Sequence, residues 1–377
     1  MRDQLKIAML GHKRIPSREG GIEIVVEELA VRMAGLGHSV TCYNRRGHHV
    51  SGKEFDGNYL KEYQGVKLKS VFTVPQKGFA AMTSSFFGAL HAAFGKYDVV
   101  HFHAEGPCAM LWIPKLFGKR CIVTIHGLDW QRAKWQGFAK RYIRFGERIA
   151  AKYADEIIVL SEDTRKYFRN TYGRETVFIP NGVSRPAIHE AEIIKEVYGL
   201  DREEYILFLG RLVPEKGITY LIEAFRKVHT DRKLIIAGGN SDTADFVQHI
   251  KALAKGDERI LFTGFVQGKV LEELYSNAYA YCLPSDLEGM PLSLLEAMSY
   301  GNCCIVSDIA ECADVVEDKA LLFQKSDMED LREKLQYACD HPEEVRRLRQ
   351  GAADFICNKY HWDDTVRQTL MLYRGYI

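Results

Sequence analysis

Short apolar runs alternate with longer amphipathic runs along almost the whole of this 377-residue chain, and the pattern is played through twice. In the first half the apolar runs are KIAMLG, SVTCY, DVVHFH, RCIVTIH, EIIVLS and TVFIPNGV. In the second they are YILFLG, KLIIAGG, RILFTG, AYAYCLPS, NCCIVSD and ALLFQ. Strands that are apolar throughout must be covered on both faces, which is the condition of a parallel sheet with helices on either side. The expected fold class is therefore α/β, with two doubly wound, Rossmann-like domains facing across a cleft. The first helix is expected over Ile22–Leu36, with Gly37 as its stop. The stretch PNGVSRPAIHEAE interrupts the pattern, so the boundary falls within 180–204, giving domains 1–180 and 181–360. The end of the chain, 342–374, reads as helix without further strands.

Composition excludes a fibrous, disordered or disulfide-built chain: 46% of residues are hydrophobic and 27% charged. The net charge of +1 hides an asymmetry. Residues 1–180 carry 28 Lys and Arg against 17 Asp and Glu, and residues 181–377 carry 23 against 33. A basic half suits a negatively charged partner, and it is also what chance surface composition can produce. Nine cysteines without a CxxC pair read as reduced, buried thiols of a cytoplasmic protein. The first strand begins at once, so no signal peptide is expected. Residues 78–95 contain no charged side chain and raise the question of a membrane span. Thr83, Ser84, Ser85 and His91 interrupt them, and a helix packed on the sheet is the expectation.

Doubly wound sheets bind ligands at the carboxyl ends of their strands. After YILFLG comes RLVPEKG, placing Arg211 and Lys216 in a strand-to-helix loop. Two cations beside a helix N-terminus suit a phosphate; two solvated loop cations are the plain alternative. After AYAYCL comes SDLEGMPLSLLEAMSYG, with Glu288 and Glu296 eight positions apart. On a helical wheel Leu292, Leu294, Leu295, Ala297 and Met298 cover most directions, and Ser293, Glu296 and Tyr300 share the remainder. Glu296 then lies buried or at a cleft wall and needs donors, from a sugar diol or from backbone N–H groups or an arginine elsewhere in the chain. Glu288 precedes the helix on a loop with Gly289, where backbone can come close to a ligand, or it serves as a helix-entry acid.

In the first half, Gly20-Gly21 before the first helix allows close approach of a phosphate, although no GxGxxG pattern is present. His126 ends an apolar strand, where it can hydrogen-bond a substrate, shuttle a proton or simply support the fold. His101 and His103 lack a third ligand nearby, so a metal is not expected there. Residues 131–148 interleave six basic residues with Trp135, Phe138, Tyr142 and Phe145, and suit either an anionic membrane surface or a solvated helix with its aromatics inward.

Taken together, EGMPLSLLE, GRLVPEKG, PNGV and the GG loop resemble retaining glycosyltransferases of family 4, with the GT-B fold, over essentially the whole chain. The beginning, GHKRIPSREGGIEIVVEELAVRMAGLGHSVTCYNRRG, looks like the rhamnosyltransferase-type subgroup of bacterial polysaccharide assembly. The resemblance implies transfer of a hexosyl or deoxyhexosyl group from a nucleotide diphosphate sugar to a saccharide or lipid-linked saccharide hydroxyl, with retained configuration. It implies that Arg211 and Lys216 bind the donor diphosphate, Glu296 the ribose hydroxyls, and Glu288 the transferred sugar. Backbone from Gly289 through Met290 and Pro291 to Leu292 would surround sugar and phosphate, and Gly21 would approach the phosphate. His126 would lie near the reacting sugar and acceptor, making His126 and Glu288 the catalytic candidates. It implies no metal and no cofactor beyond the donor, a departing phosphate that helps deprotonate the acceptor, and a C-terminal helix, 361–377, packed back on the first domain. SDIAECADVV departs from the family's pattern, lacking its Gly and carrying Asp314 where Glu is common.

Partners expected are thus a nucleotide sugar, a saccharide or lipid-pyrophosphate-linked acceptor, and an anionic membrane touched through 131–148; nucleic acid is not among them. The expected location is the cytoplasm, at the inner face of the plasma membrane if that contact forms. Arg211→Ala and Lys216→Ala are each expected to lower donor turnover far more than stability. The competing readings are a sugar-nucleotide epimerase of the same fold, a glycoside hydrolase, and a donor-binding module without catalysis.

Overall fold

The computed structural model describes residues 4–50, 52–53, 60–76, 78–132, 134–239 and 243–376. The chain forms two compact units, Met1–Asn181 with Trp362–Ile377, and Gly182–His361.

The first unit runs β1 (Lys6–Leu10), α1 (Gly21–Gly35), β2 (Ser39–Arg45), β3 (Glu62–Tyr63), β4 (Val66–Val71), α2 (Phe79–Phe94), β5 (Val99–His103), α3 (Trp112–Leu116), β6 (Arg120–Ile125), α4 (Gly137–Tyr153), β7 (Glu156–Val159), α5 (Glu162–Tyr172) and β8 (Val177–Phe178). Its sheet has the order β3-β4-β2-β1-β5-β6-β7-β8. Every pairing is parallel except β3 with β4. That hairpin escaped the sequence reading because it carries the opposite pattern. Val66 and Leu68 are buried while Lys67 and Lys69 face water, the alternation of a strand near a sheet edge. Gln64 and Gly65, both at positive φ, make its two-residue turn. The central strands β1, β5, β6 and β7 are almost wholly buried, with Ile7, Val100, Val123 and Ile157 at 0% exposure. Each such side chain contributes about 1.5–3 kcal/mol.

The second unit contains α6 (Ile193–Tyr198), β9 (Tyr205–Leu209), α7 (Ile218–Phe225), β10 (Lys233–Ala237), α8 (Ala244–Ala254), β11 (Ile260–Gly264), α9 (Lys269–Asn277), β12 (Ala280–Leu283), α10 (Leu292–Ser299), β13 (Cys303–Ser307), α11 (Ala310–Val316), β14 (Ala320–Phe323), α12 (Met328–Asp340), α13 (Pro342–Arg349) and α14 (Ala352–Lys359). Its sheet is parallel throughout, in the order β11-β10-β9-β12-β13-β14. The strand order reverses between β9 and β12, and between β1 and β5 in the first unit, so these are the topological switch points where such sheets take ligands.

The last helix, α15 (Trp362–Arg374), belongs to the first unit. Arg120 holds the Leu372 carbonyl from Nε (3.2 Å) and Nη2 (2.8 Å), Thr365 Oγ1 donates to Pro180 O (2.9 Å), and Tyr373 Oη meets His101 Nδ1 at 2.6 Å. All nine cysteines are free, and all but Cys339 are buried. No helix among the described residues is long and apolar enough to cross a membrane.

Candidate active site

In the second unit, the switch point brings the loops after β9 and β12 side by side. Gly217, at φ +67°, ends the 3-10 turn Pro214–Lys216 and opens α7. A Cβ at this position would stand 1.9 Å from Pro284 O, so only glycine lets the two loops meet. The Asp286 N–H donates to Glu215 O (2.9 Å), and Tyr220 Oη donates to Pro284 O and to Asp286 Oδ1 (3.1 Å). Burial first, then the Asp286 carboxylate, raises the Tyr220 phenol well above its ordinary range, so it remains a donor.

This stitching places Lys216 Nζ 2.5 Å from Glu288 Oε1, with side chains 11% and 9% exposed. The sequence reading gave them different parts of one donor and missed their contact, because they are 72 positions apart. Arg211 is half-buried in the same loop as Lys216. Gly289 and Met290 are buried, and Pro291 stands as the N-cap, one residue outside α10, which Leu292 begins. The first N–H groups of α7 and α10 thus point out of the helices at the strand ends, where a helix terminus favours negative charge.

Helix α10 is buried on every side except the sector of Ser293, Glu296 and Tyr300, which is half-buried. Glu296 Oε2 accepts from Tyr275 Oη at 3.2 Å, and the Tyr275 ring stacks on Tyr300 with centroids 5.1 Å apart. Tyr275 comes from α9 and is 1% exposed. It gives Glu296 a hydroxyl donor, neither the backbone N–H nor the arginine that the sequence reading named. No sequence signal marked it, since it occupies an ordinary core position of an amphipathic helix.

The first unit has a histidine-lined counterpart. Gly11 follows β1 at φ +110°, and a Cβ there would lie 2.1 Å from His103 O. His103 Nδ1 is 3.0 Å from His126 Nε2, and their rings stack with centroids 5.3 Å apart. His12, fully buried, meets Asn44 Oδ1 at 3.0 Å. Burial pushes His12 and His126 down to about 4. His126 is therefore neutral near pH 7, a hydrogen-bonding group rather than a proton carrier. His101 uses both ring nitrogens, on Tyr373 and on Thr124 Oγ1 (2.8 Å). Gly20 caps α1 and Gly21 is its first residue, while the buried Glu23 accepts from Lys13 N at 2.9 Å.

A further pair escaped the sequence reading. Glu105 and Glu147 are both 0% exposed. Glu105 Oε2 accepts the Asp129 N–H at 2.7 Å and so anchors the loop that follows His126. Glu147 accepts from Trp130 Nε1 (3.0 Å), Tyr167 Oη (2.8 Å) and Tyr172 Oη. Burial first, then the Asp129 charge and the nearby Glu147, raise the Glu105 carboxyl well above the ordinary carboxylate range. Acids in strand-to-helix loops and on mainly basic helices read as surface residues; only the packing of α4 on the turn Gly106–Met110 encloses them.

Residues 19–185 match the model of Glycosyltransferase Family 4, and residues 190–355 match that of Glycosyl transferases group 1. The chain is 25% identical over 406 residues, spanning 98% of both chains, to an uncharacterized glycosyltransferase of Methanocaldococcus jannaschii. It is 30% identical over 229 residues to the UDP-Gal:alpha-D-GlcNAc-diphosphoundecaprenol alpha-1,3-galactosyltransferase of Escherichia coli, spanning 57% of this chain and 58% of that one. The structure of sucrose-phosphate synthase from Thermosynechococcus elongatus has the same fold, with a TM-score of 0.84 at 21% identity and 99% of both chains covered. With two doubly wound units that match these two models in sequence, the chain belongs to the glycosyltransferases of the GT-B type.

Proposed function

We propose that this glycosyltransferase takes its sugar from a nucleoside diphosphate sugar and transfers it, with retained configuration, to a hydroxyl of a saccharide that is free or carried on a lipid pyrophosphate. The observation that carries the reading is the Lys216–Glu288 pair at the β9/β12 switch point. An ammonium shared with a carboxylate can turn one of its three donors to a diphosphate while the carboxylate accepts from sugar hydroxyls. Arg211 in the same loop and the N-termini of α7 and α10 add to the neutralisation of the phosphates. A negative leaving group is stabilised best by donors already fixed before it forms. Glu296, oriented by Tyr275, is assigned to the ribose diol, and backbone from Gly289 to Leu292 to the sugar and phosphate.

In the first unit, Gly21 is assigned to the phosphate and His126 to a hydroxyl of the reacting sugar or the acceptor. A histidine that is neutral at pH 7 hydrogen-bonds well but is a weak base. The acceptor proton is then taken by the departing phosphate. Neither a metal nor a cofactor is part of this proposal; Arg211, Lys216 and the helix termini take that electrostatic role. A glycan acceptor fits assembly of a cell-surface polysaccharide, and the rhamnosyltransferase-type subgroup is the narrower reading of the first unit.

The test is a panel of nucleotide sugars read by nucleotide release, with lipid-linked acceptor present or absent in parallel. Release with one donor, accelerated by acceptor, supports the reading. Arg211→Ala should slow that release at least about 100-fold while shifting the unfolding midpoint little. Isomerisation of the donor without change of mass would instead reveal an epimerase. Donor binding without release under every acceptor would reveal a non-catalytic module.

A further inference from the structure

The stretch that follows His126 is held from beneath by two buried acids. The Asp129 N–H donates to Glu105 Oε2 at 2.7 Å, and Trp130 Nε1 donates to Glu147 Oε2 at 3.0 Å. Arg132 Nε closes the stretch on Asp129 Oδ1 at 2.7 Å. The half-buried Trp130 ring is also covered. Arg144 and Lys140 lie over it, 5.0 and 5.3 Å from its centroid, and the Tyr167 ring stands 6.2 Å away. The other oxygen of Glu147 gathers Tyr167 Oη and Tyr172 Oη.

This arrangement is costly to the fold. Glu105 and Glu147 are both fully buried, and a carboxyl taken out of water loses its hydration. Ala104, just before Glu105, stands at φ +73°, a region that residues other than glycine rarely enter. A Cβ on Gly146 would lie 2.1 Å from Glu105 O, so α4 brings Glu147 against the Glu105 turn only because glycine precedes it. A chain that needed no more than a packed core here would do as well with apolar side chains at both positions. Backbone strain and buried acids are kept where a site needs a fixed geometry.

We propose that Glu105 and Glu147 are positioning residues of the transfer reaction. By accepting from Asp129 and Trp130 they hold the turn beside His126 in place before sugar and acceptor arrive. The proposal rests on the assignment of His126 to the reacting sugar or the acceptor. Both acids are closed to solvent and act only through the loop. Groups fixed in advance need no rearrangement during the reaction, and a displacement of about 1 Å caused from outside the chemistry can slow it about 100-fold.

The test sets turnover against folding. Glu105→Met removes the acceptor of the Asp129 N–H and keeps an unbranched buried side chain. Nucleotide release at saturating donor and acceptor should slow about 100-fold, with the donor KM nearly unchanged and the unfolding midpoint lowered little. Glu105→Gln, whose amide oxygen can still accept, should recover most of the rate. Trp130→Phe keeps an aromatic ring and loses the bond to Glu147. It should slow release at least about tenfold, and it carries the test if Glu105→Met does not fold. Isotope labelling of tryptophan gives a readout independent of turnover. The Trp130 indole N–H signal, identified by its absence from Trp130→Phe, should move in Glu105→Met and in Glu147→Gln. An unmoved signal, an unchanged kcat, an equal loss in Glu105→Gln, or a rate that falls only in step with the unfolding midpoint overturns the proposal. Absence of nucleotide release from the unsubstituted protein with every donor overturns the transferase reading itself, and the proposal with it.

Discussion

Lys216 of the β9 loop and Glu288 of the β12 loop form an ion pair of 2.5 Å, nearly closed to solvent on both sides. The two residues expected to bind different parts of a ligand are therefore each other's partner. Removing either leaves the other's charge in a nearly buried place.

Stability should reveal this coupling. Lys216→Met is expected to destabilise the second unit by about 2–3 kcal/mol, and Glu288→Gln in the same protein should recover a large part of that. Urea unfolding of the two single variants and the double variant measures it; additive effects would show that the pair is not coupled. A stability cost at Lys216 would complicate a reading of its turnover, which makes Arg211→Ala the cleaner test of the phosphate assignment.

Tyr275→Phe removes the donor to Glu296 Oε2 without changing the volume of the core. A hydrogen bond to a charged group contributes about 1.5–3 kcal/mol. If Glu296 holds the ribose, the donor KM should rise roughly tenfold with kcat nearly unchanged. Initial rates across a donor titration check this, and an unchanged KM would remove Glu296 from the donor site.

Three histidines of the first unit, His12 and His101 buried and His126 half-buried, set an acid limit. Folding lowers His12 and His126 to about 4 and His101 to about 3, chiefly by desolvation. The unfolded chain binds protons at these positions below about pH 6.5, and the folded chain does not. Their contribution to stability is complete above that value and is lost as pH falls toward 4, on the order of 1 kcal/mol per histidine per pH unit. Chemical unfolding at a series of pH values from 8 to 5 should show the decline beginning below 6.5; a flat profile would contradict it.

Glu105 acts in the opposite sense. Its folded pKa is raised, so its contribution is present at low pH and declines as pH rises above the ordinary carboxylate range. Gln is neutral like the protonated acid, and its oxygen can still accept from the Asp129 N–H. Glu105→Gln should therefore raise the thermal midpoint at pH 8 with little change at pH 5. A lower midpoint at both values would show that a charged Glu105 is needed.

How much was legible before the structure differs by residue. β9 to β14 are all apolar enough to announce themselves, and β12, buried at every position, lies where AYAYCL placed it. The open sector of α10 around Glu296 followed from helical periodicity alone. The β3–β4 hairpin was missed because its lysines alternate with apolar residues in a segment that reads as a loop. Tyr275, Glu105 and Glu147 were missed because each is defined by a neighbour distant in the chain.

The sequence by itself determined the class of fold and the strand ends at which chemistry is to be sought. Those depend on short runs that are apolar throughout, alternating with amphipathic runs of period 3.6 residues, which local interactions impose on any chain with this pattern. Which strand lies beside which, and hence that Lys216 meets Glu288 and that Phe79, Phe86 and Phe94 of α2 are exposed while Phe87 packs on the core, was decided only by tertiary structure. Neighbouring strands of a parallel sheet are separated by whole crossover helices, so their pairing is chosen by how the helices pack and not by any local preference of the residues that finally touch.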